Sequence, residues 1–171
     1  MKKITIICFT LAVLFIQNAS GQTLGDLYVN SEAGFSMSMP ENWQTYNVNM
    51  KYLAIVGPQD GEFTPNINFG DEEYSGLVSE YIDELFEYLP MFFNDFKVQD
   101  RTDFRTNNGL TGECITYLAV MGTVNVKQKM YIISNRRRTS VMIITCTSPP
   151  VTKDIYDIIF DESVRTLNWT R

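Results

Sequence analysis

The segment Asn107-Asn108-Gly109 constrains the fold of this chain more than any other short stretch. An Asn-Gly pair supplies the positive φ angles that a tight hairpin turn requires. Before it, from Phe96 to Phe104, apolar residues alternate with charged ones, which is typical of a strand with one solvent-exposed face. The sequence therefore predicts an antiparallel hairpin. Because its first strand is long and charged, we expect that strand at an edge of the sheet.

Three more strands are predicted after the turn, at residues 113–120, 123–133 and 141–145, and the last is apolar on both faces, as an interior strand is. Earlier, shorter strands are predicted at 27–31, 34–40, 52–56 and 67–69. We expect the apolar faces of strands 34–40 and 123–133 to form one sheet surface, covered by the C-terminal helix. The first face carries Phe35, Met37 and Met39, and the second carries Val124, Val126, Met130 and Ile132; Asn125, Lys127 and Lys129 lie opposite.

Two helices are predicted. The first begins with Ser75 as its cap, and Pro90 is expected to end or kink it at Leu89, because the residue before a proline avoids helical geometry. The second begins at residues 148–150, where prolines are tolerated in the first turn. Strands, a helix, hairpin-linked strands and a final helix make an α+β fold. It consists of an antiparallel sheet of about six strands with helices packed on it.

Residues 1–21 are predicted to be a signal peptide. Lys2 and Lys3 precede an apolar run of 13 residues, which is too short to span a bilayer and typical of the core of a signal sequence. Small residues follow, with Ala19 and Gly21 at the positions expected before a cleavage site. We therefore expect an exported protein, periplasmic or extracellular, with a single domain at 22–171 and no further membrane span.

The charge and the absence of histidine exclude several functions. The net charge is −6, and removal of Lys2 and Lys3 makes it −8. Such a balance disfavours nucleic acid and anionic membrane surfaces as partners. With no histidine in 171 residues, catalytic triads and histidine-based zinc sites are excluded. We expect no catalysis, no metal and no cofactor, although a Ser-Lys or paired-carboxylate enzyme stays open as an alternative.

Two cysteines, Cys114 and Cys146, lie in predicted strands that have one further strand between them. Export permits a disulfide. In a three-strand meander, however, the two residues are separated by roughly 9–10 Å, beyond the ~7 Å Cα distance that a disulfide can bridge. We predict two buried free thiols.

Two segments are candidate partner-binding sites. Arg136, Arg137 and Arg138 lie at a predicted hairpin tip, where guanidinium groups can bind a carboxylate or phosphate of a partner. Phe92 and Phe93 follow the predicted end of the first helix, where they are core residues or, if exposed, an apolar patch for a partner.

The acidic run at 71–73 lacks the spacing of a calcium loop, so we interpret it as acids that favour a helix N-terminus. Lys127 and Lys129 have a serine nearby but no S-x-x-K spacing, which argues against a Ser-Lys enzyme.

The two ends of the predicted domain resemble one known family. The opening GFSMSMPENW and the closing YDIIFDESVRTLNW are similar to the first strand and the final helix of the PsbP-like family, which is named for an extrinsic subunit of photosystem II. The resemblance implies an α/β/α sandwich around an antiparallel sheet. It also implies a non-catalytic role, since family members are mostly exported accessory proteins. The lipid-attachment sequence and histidine metal ligands of some members are missing, so no functional residue is transferred.

These inferences favour a non-catalytic, exported accessory or binding protein that contacts an envelope protein or complex in a bacterium. The alternative is a carrier of a small apolar ligand, because 22 aromatic residues could line an apolar cavity between helices and sheet.

Overall fold

The computed structural model describes residues 24–47, 51–135, 139–150 and 155–170. These residues form ten strands and two helices, in the following order: β1 (Leu24–Asn30), β2 (Phe35–Pro40), β3 (Gln44–Asn47), β4 (Leu53–Val56), β5 (Asn66–Glu73), α1 (Val78–Phe92), β6 (Asn94–Arg105), β7 (Thr111–Met121), β8 (Val124–Asn135), β9 (Ser140–Ser148), α2 (Ile155–Arg165) and β10 (Asn168–Trp169). The predicted signal peptide and the three arginines at 136–138 lie outside the described residues.

The strands form two antiparallel sheets. The larger has seven strands in the order β3-β4-β5-β9-β8-β7-β6, and the smaller has three in the order β1-β2-β10. The predicted α+β class, with helices packed on an antiparallel sheet, is confirmed. The large sheet has seven strands where about six were expected, and β1, β2 and β10 pair in a second sheet.

The predicted hairpin, its edge strand and the three-strand meander that follows are all present. β6 lies at one edge of the large sheet, and β9 lies in its interior between β5 and β8. In the connecting loop only Gly109 has a positive φ, 82°. The loop is longer than a two-residue turn, and its Asn107 N–H donates to the Arg165 carbonyl at the end of α2, over 2.7 Å.

Two apolar clusters fill the space on either side of the large sheet. One lies between this sheet, the small sheet and α2, and it includes Phe35, Met37, Phe69, Tyr131 and Phe160. The other lies beneath α1, and it includes Ile82, Ile115, Tyr117, Val126, Met130 and Ile132. The molecule is therefore layered, with α1 on one face of the large sheet and α2 with the small sheet on the other.

This layering corrects the predicted pairing of apolar faces. Phe35 and Met37 lie on the α2 side, whereas Val126, Met130 and Ile132 lie on the α1 side. Val124, at the start of β8, is about half exposed. The face of β8 that sequence alternation marks as polar is the one that α2 covers. It can be covered because its two lysines pair with aspartates of α2.

The boundaries of both helices also differ from those predicted. α1 begins after Leu77, whose N–H donates to the Glu80 carboxylate over 3.1 Å, and it continues through Pro90 to Phe92. A proline in the last turn removes only one helical donor, so the helix need not stop there. At the other end of the chain, Ser148 belongs to β9, opposite Lys127, and does not begin a helix.

Cys114 and Cys146 are buried and unpaired, as predicted. They lie on β7 and β9, and β8 separates these strands. Their thiols belong to the apolar cluster on the α2 side.

Candidate partner-binding surface

α1 is held on the sheet by its inner face and by one arginine. Tyr81, Ile82 and Leu89 are buried, and the first two belong to one apolar cluster with residues of β7 and β8. Arg101 of β6 reaches the helix with its guanidinium, donating to the Asp83 carboxylate over 2.6 Å and to the Ser79 carbonyl over 3.2 Å. The outer face of the helix therefore has a fixed position.

The same guanidinium also donates to Glu113 of β7 over 2.5 Å. These hydrogen bonds, first that to Glu113 and then that to Asp83, raise the pKa of Arg101 further above its ordinary value. Arg101 thus stays charged while it joins β6, β7 and α1, and a planar guanidinium is suited to such simultaneous contacts.

An apolar patch is exposed at the C-terminal end of α1. Tyr88, Met91 and Phe92 are 55 %, 76 % and 78 % exposed, and their spacing of three and four residues places them on one side of the helix. We call these three residues the α1 patch. Single exposed apolar side chains are ordinary on protein surfaces, but adjacent ones mark interaction sites.

Phe93, the second predicted aromatic contact residue, is partly buried and packs against the apolar cluster beneath α1. Its ring is stacked on Phe96 at 6.5 Å between centroids and lies 6.2 Å from Tyr117. α1 ends at Phe92, and the extended backbone of Phe93 turns its ring back toward the sheet. Of the two predicted phenylalanines, Phe92 is largely exposed and Phe93 is partly buried.

The sequence missed Met91 and Tyr88 as members of the patch. Because Pro90 was expected to end or kink the helix at Leu89, Met91 was placed beyond that point and Tyr88 was not identified as a contact residue. A helical projection continued to residue 92 would have placed all three on one side.

Acidic side chains occupy the exposed face of α1 on the N-terminal side of the α1 patch. Glu80, Asp83, Glu84 and Glu87 are all exposed. Glu84 also accepts a hydrogen bond from the Tyr74 hydroxyl over 3.3 Å, and burial together with Glu84 raises the pKa of Tyr74. The surface therefore combines an apolar end with negative charge along the helix.

Cavities in the described part of the chain have walls that mix polar and apolar groups. One, of about 680 Å³, lies at the start of α1 and is lined by residues such as Ser79, Glu80, Glu113 and Asn135. Another, of about 350 Å³, lies between α2 and strands β6 to β8. Apolar carriers need an apolar cavity, so neither cavity supports the alternative of a small apolar ligand, which stays a prediction.

The second cavity contains two ion pairs. Lys127 lies 2.6 Å from Asp157, and Lys129 lies 2.8 Å from Asp161. Asp161 also accepts a hydrogen bond from the Tyr131 hydroxyl over 2.6 Å. Both lysines are thus used to attach α2 to the sheet.

The acidic run at 71–73 lies on β5, and it does not precede a helix directly as expected. Asp71 accepts hydrogen bonds from the Lys51 ammonium and the Tyr52 hydroxyl, each over 2.5 Å. No group of histidine, cysteine and carboxylate side chains in the described ranges is arranged to hold a metal ion. Asp71 is therefore paired with neighbouring side chains.

No helix within the described residues is both long and apolar enough to cross a membrane. Comparison with known proteins gives no match to a family model and no match to a curated protein sequence.

Solved structures, in contrast, match over most of the chain. PsbP of the cyanobacterium Synechocystis sp. PCC 6803 superposes with a TM-score of 0.63 at 11 % identity, covering 88 % of this chain and 95 % of that one. The Ran-binding protein Mog1p of Saccharomyces cerevisiae gives 0.59 at 12 % identity, covering 86 % and 96 %. LpqN of Mycobacterium tuberculosis, described as involved in cell envelope biogenesis, gives 0.58 at 12 % identity, covering 85 % and 90 %.

The architecture defined by these superpositions is an α+β sandwich around an antiparallel sheet. The chain has the PsbP-like fold, as the resemblance of its two ends implied.

Proposed function

We propose that this chain is a non-catalytic binding protein, exported by a bacterium, that contacts another protein of the cell envelope through the α1 patch. The observation that carries the proposal is the exposure of Met91 and Phe92, each more than three-quarters accessible on a helix that Arg101 holds in place. Exposed apolar side chains on a rigid element lose little conformational freedom on binding, which favours affinity.

The surroundings of the patch specify the chemistry of the partner. Four exposed acidic side chains lie along the same helix. The complementary surface of the partner therefore carries positive charge beside apolar side chains. Proteins with this fold include one that binds Ran and one involved in cell envelope biogenesis, which is compatible with a role in protein contact. Because the fold alone does not define a function, the residues of the patch are the basis of the proposal.

The contact is testable by crosslinking in intact cells. Phe92 is replaced by the photo-reactive residue p-benzoylphenylalanine, and Tyr46 of β3, also an exposed aromatic, is replaced in a matched control. We expect a specific adduct, identified by mass spectrometry, from position 92 and not from position 46. Adding Met91→Asp to the first variant is expected to abolish the adduct, because a charge there opposes apolar contact.

Equal adducts from both positions, or none from position 92, would contradict the proposed contact. Export is tested separately by the mass of the protein recovered from the periplasm or medium. We expect residues 1–21 to be missing, with Gln22 as the first residue. A full-length protein retained in the cytoplasm would exclude the envelope location.

A further inference from the structure

β1 is an edge strand that exposes apolar side chains and has few of the features that prevent pairing with another strand. It lies at one end of the small sheet, beside β2 alone. Leu27 and Val29 are 61 % and 54 % exposed, whereas Tyr28 and Asn30 point into the molecule. Edge strands usually carry lysine, proline or irregularities that prevent pairing with another chain. From Leu27 to Asn30 β1 has none of these features, and its register shift lies before Leu27.

The other edges of the two sheets differ from β1. β6 at one edge of the large sheet has two register shifts and charged residues along its length. β3 at the opposite edge has only four residues, and β10 of the small sheet has only two. Among the described strands, β1 is therefore the edge best suited to extension by a further strand.

The direction of the backbone groups of β1 follows from the surrounding hydrogen bonds. The Gly34 N–H donates to the Asn30 carbonyl over 2.8 Å, so the backbone groups of Asn30 point toward β2. On the far side of β2, the Ser38 N–H donates to the Thr166 hydroxyl over 2.8 Å, away from β1. Since the direction alternates along a strand, the N–H and C=O groups of Leu27 and Val29 point outward from the sheet edge.

Leu27 and Val29 make β1 complementary to a second copy of itself. In an antiparallel pair of β1 strands centred on Tyr28, Leu27 of one copy lies opposite Val29 of the other. Both residues present their backbone groups, so each such pair can exchange two hydrogen bonds. The apolar side chains then meet across the strands, which stabilises a sheet. Asp26, the only charged residue of β1, falls opposite Asn30, so no like charges are opposed.

We propose that the protein forms a homodimer in which two β1 strands pair about a two-fold axis at Tyr28, joining two three-stranded sheets into one of six strands. The occupant of the edge is a second copy of this chain, because the pairing satisfies the same residues on both sides, as an isologous interface requires. This dimer leaves the α1 patch, on the opposite face of the large sheet, available to a partner.

The test uses charge pairs that depend on the predicted register. The variant Leu27→Lys/Val29→Lys places two lysines opposite two lysines, whereas Leu27→Lys/Val29→Glu places each lysine opposite a glutamate. Both variants replace the same apolar side chains. We expect analytical ultracentrifugation of the exported protein to give a dimer for the wild type and for the Lys/Glu variant. The Lys/Lys variant is expected to dissociate, with a dissociation constant roughly tenfold higher or more.

Val98→Lys, at an exposed position on the edge strand β6, is the control and is expected to leave the dimer unchanged. Circular dichroism and thermal melting show that each variant is folded. A wild-type protein that is monomeric at all accessible concentrations would overturn the proposal. So would a dimer that the Lys/Lys variant leaves intact, because it would then use another surface.

Discussion

Gly112 occupies a position where no side chain can be accommodated. A Cβ atom built there would lie 2.0 Å from the Ile132 carbonyl oxygen of the neighbouring strand, so β7 and β8 would have to separate. Gly112→Ala is therefore expected to destabilise the protein by about 3 kcal/mol or more, since the clash is with backbone and cannot be relieved by a rotamer change.

Gly70→Ala is the matched control for this prediction. Gly70 also lies within a strand of the large sheet, but a Cβ there would meet nothing within 4 Å. We expect its free energy of unfolding in urea to stay within about 1 kcal/mol of the wild-type value. Equal destabilisation by the two substitutions would show that the close approach at Gly112 is not the cause.

The two thiols provide a second prediction at this scale. Burial raises the pKa of Cys114 to about 12 and raises that of Cys146 well above its ordinary value. The thiolate is the reactive form, so both residues are expected to resist alkylation in native protein and to react on unfolding. Peptide-resolved mass spectrometry measures the two rates. Fast labelling of either residue without denaturant would contradict the buried positions.

At the scale of elements, α2 is attached to the sheet by charges as well as by its apolar face. Asp161→Asn removes the ion pair with Lys129 and leaves a lysine whose side chain is only 12 % exposed without its partner. Exposed pairs contribute up to about 1 kcal/mol and the loss of one partner of a buried pair costs about 3–5 kcal/mol. For a carboxylate that is one-third exposed we expect a loss of about 1–3 kcal/mol, measured by urea denaturation.

Glu162→Gln tests whether this loss is specific. It removes the same charge from the neighbouring position on α2, where Glu162 has no ion pair with the described lysines or arginines. A change of less than about 0.5 kcal/mol is expected. If both substitutions destabilise equally, the cause is the charge of the helix and not the contact with β8.

The contact between α2 and β8 also shows what the sequence could not predict. Alternation predicted β8 correctly as a strand and separated its two faces. It could not identify which face α2 covers, because Lys127 and Lys129 have the pattern of solvent-exposed residues. They are covered because Asp157 and Asp161 neutralise them, and these residues are about 30 positions away in the chain. Local patterns do not contain that information.

For α1 the limitation was different. A helix was predicted here, but Pro90 was expected to end or kink it at Leu89. The additional turn through Pro90 is what brings Met91 and Phe92 onto the surface of the helix. The candidate site therefore depended on an element boundary, and boundaries are decided by a few weak local contacts.

For the whole molecule, buried phenols and thiols predict loss of stability at alkaline pH. Burial raises the pKa values of Tyr81, Tyr117, Tyr131, Cys114 and Cys146. These groups stay protonated in the folded protein, while in the unfolded chain they lose protons above pH ~8.5–10. The unfolded state then binds fewer protons, so the free energy of unfolding falls as the pH rises through that range.

Thermal melting between neutral pH and about pH 11 measures this dependence. Tyr117→Phe removes one titrating phenol together with its hydrogen bond to Gln128. We expect the variant to be less stable at neutral pH and to have a shallower pH dependence, since one group fewer titrates on unfolding. A melting temperature that is independent of alkaline pH would contradict the burial of these side chains.

The overall class of the fold was predictable because the hairpin signal and the alternating strands are local features. The small sheet was not, since it pairs Phe35 with Trp169 and Ser36 with Asn168. Nothing in a short window specifies a register between residues so far apart. The resemblance of both chain ends to one family indicated the fold, and the structure adds that these ends are in contact.

That contact between β2 and β10 has a consequence for biogenesis. β2 can pair with β10 only when residues 168–169 are available, so the small sheet is incomplete until then. Contacts of such long sequence separation slow folding. A polypeptide that passes through a translocation channel must stay unfolded until its passage is complete. For the export proposed above, the β2–β10 pairing would be completed only after that passage.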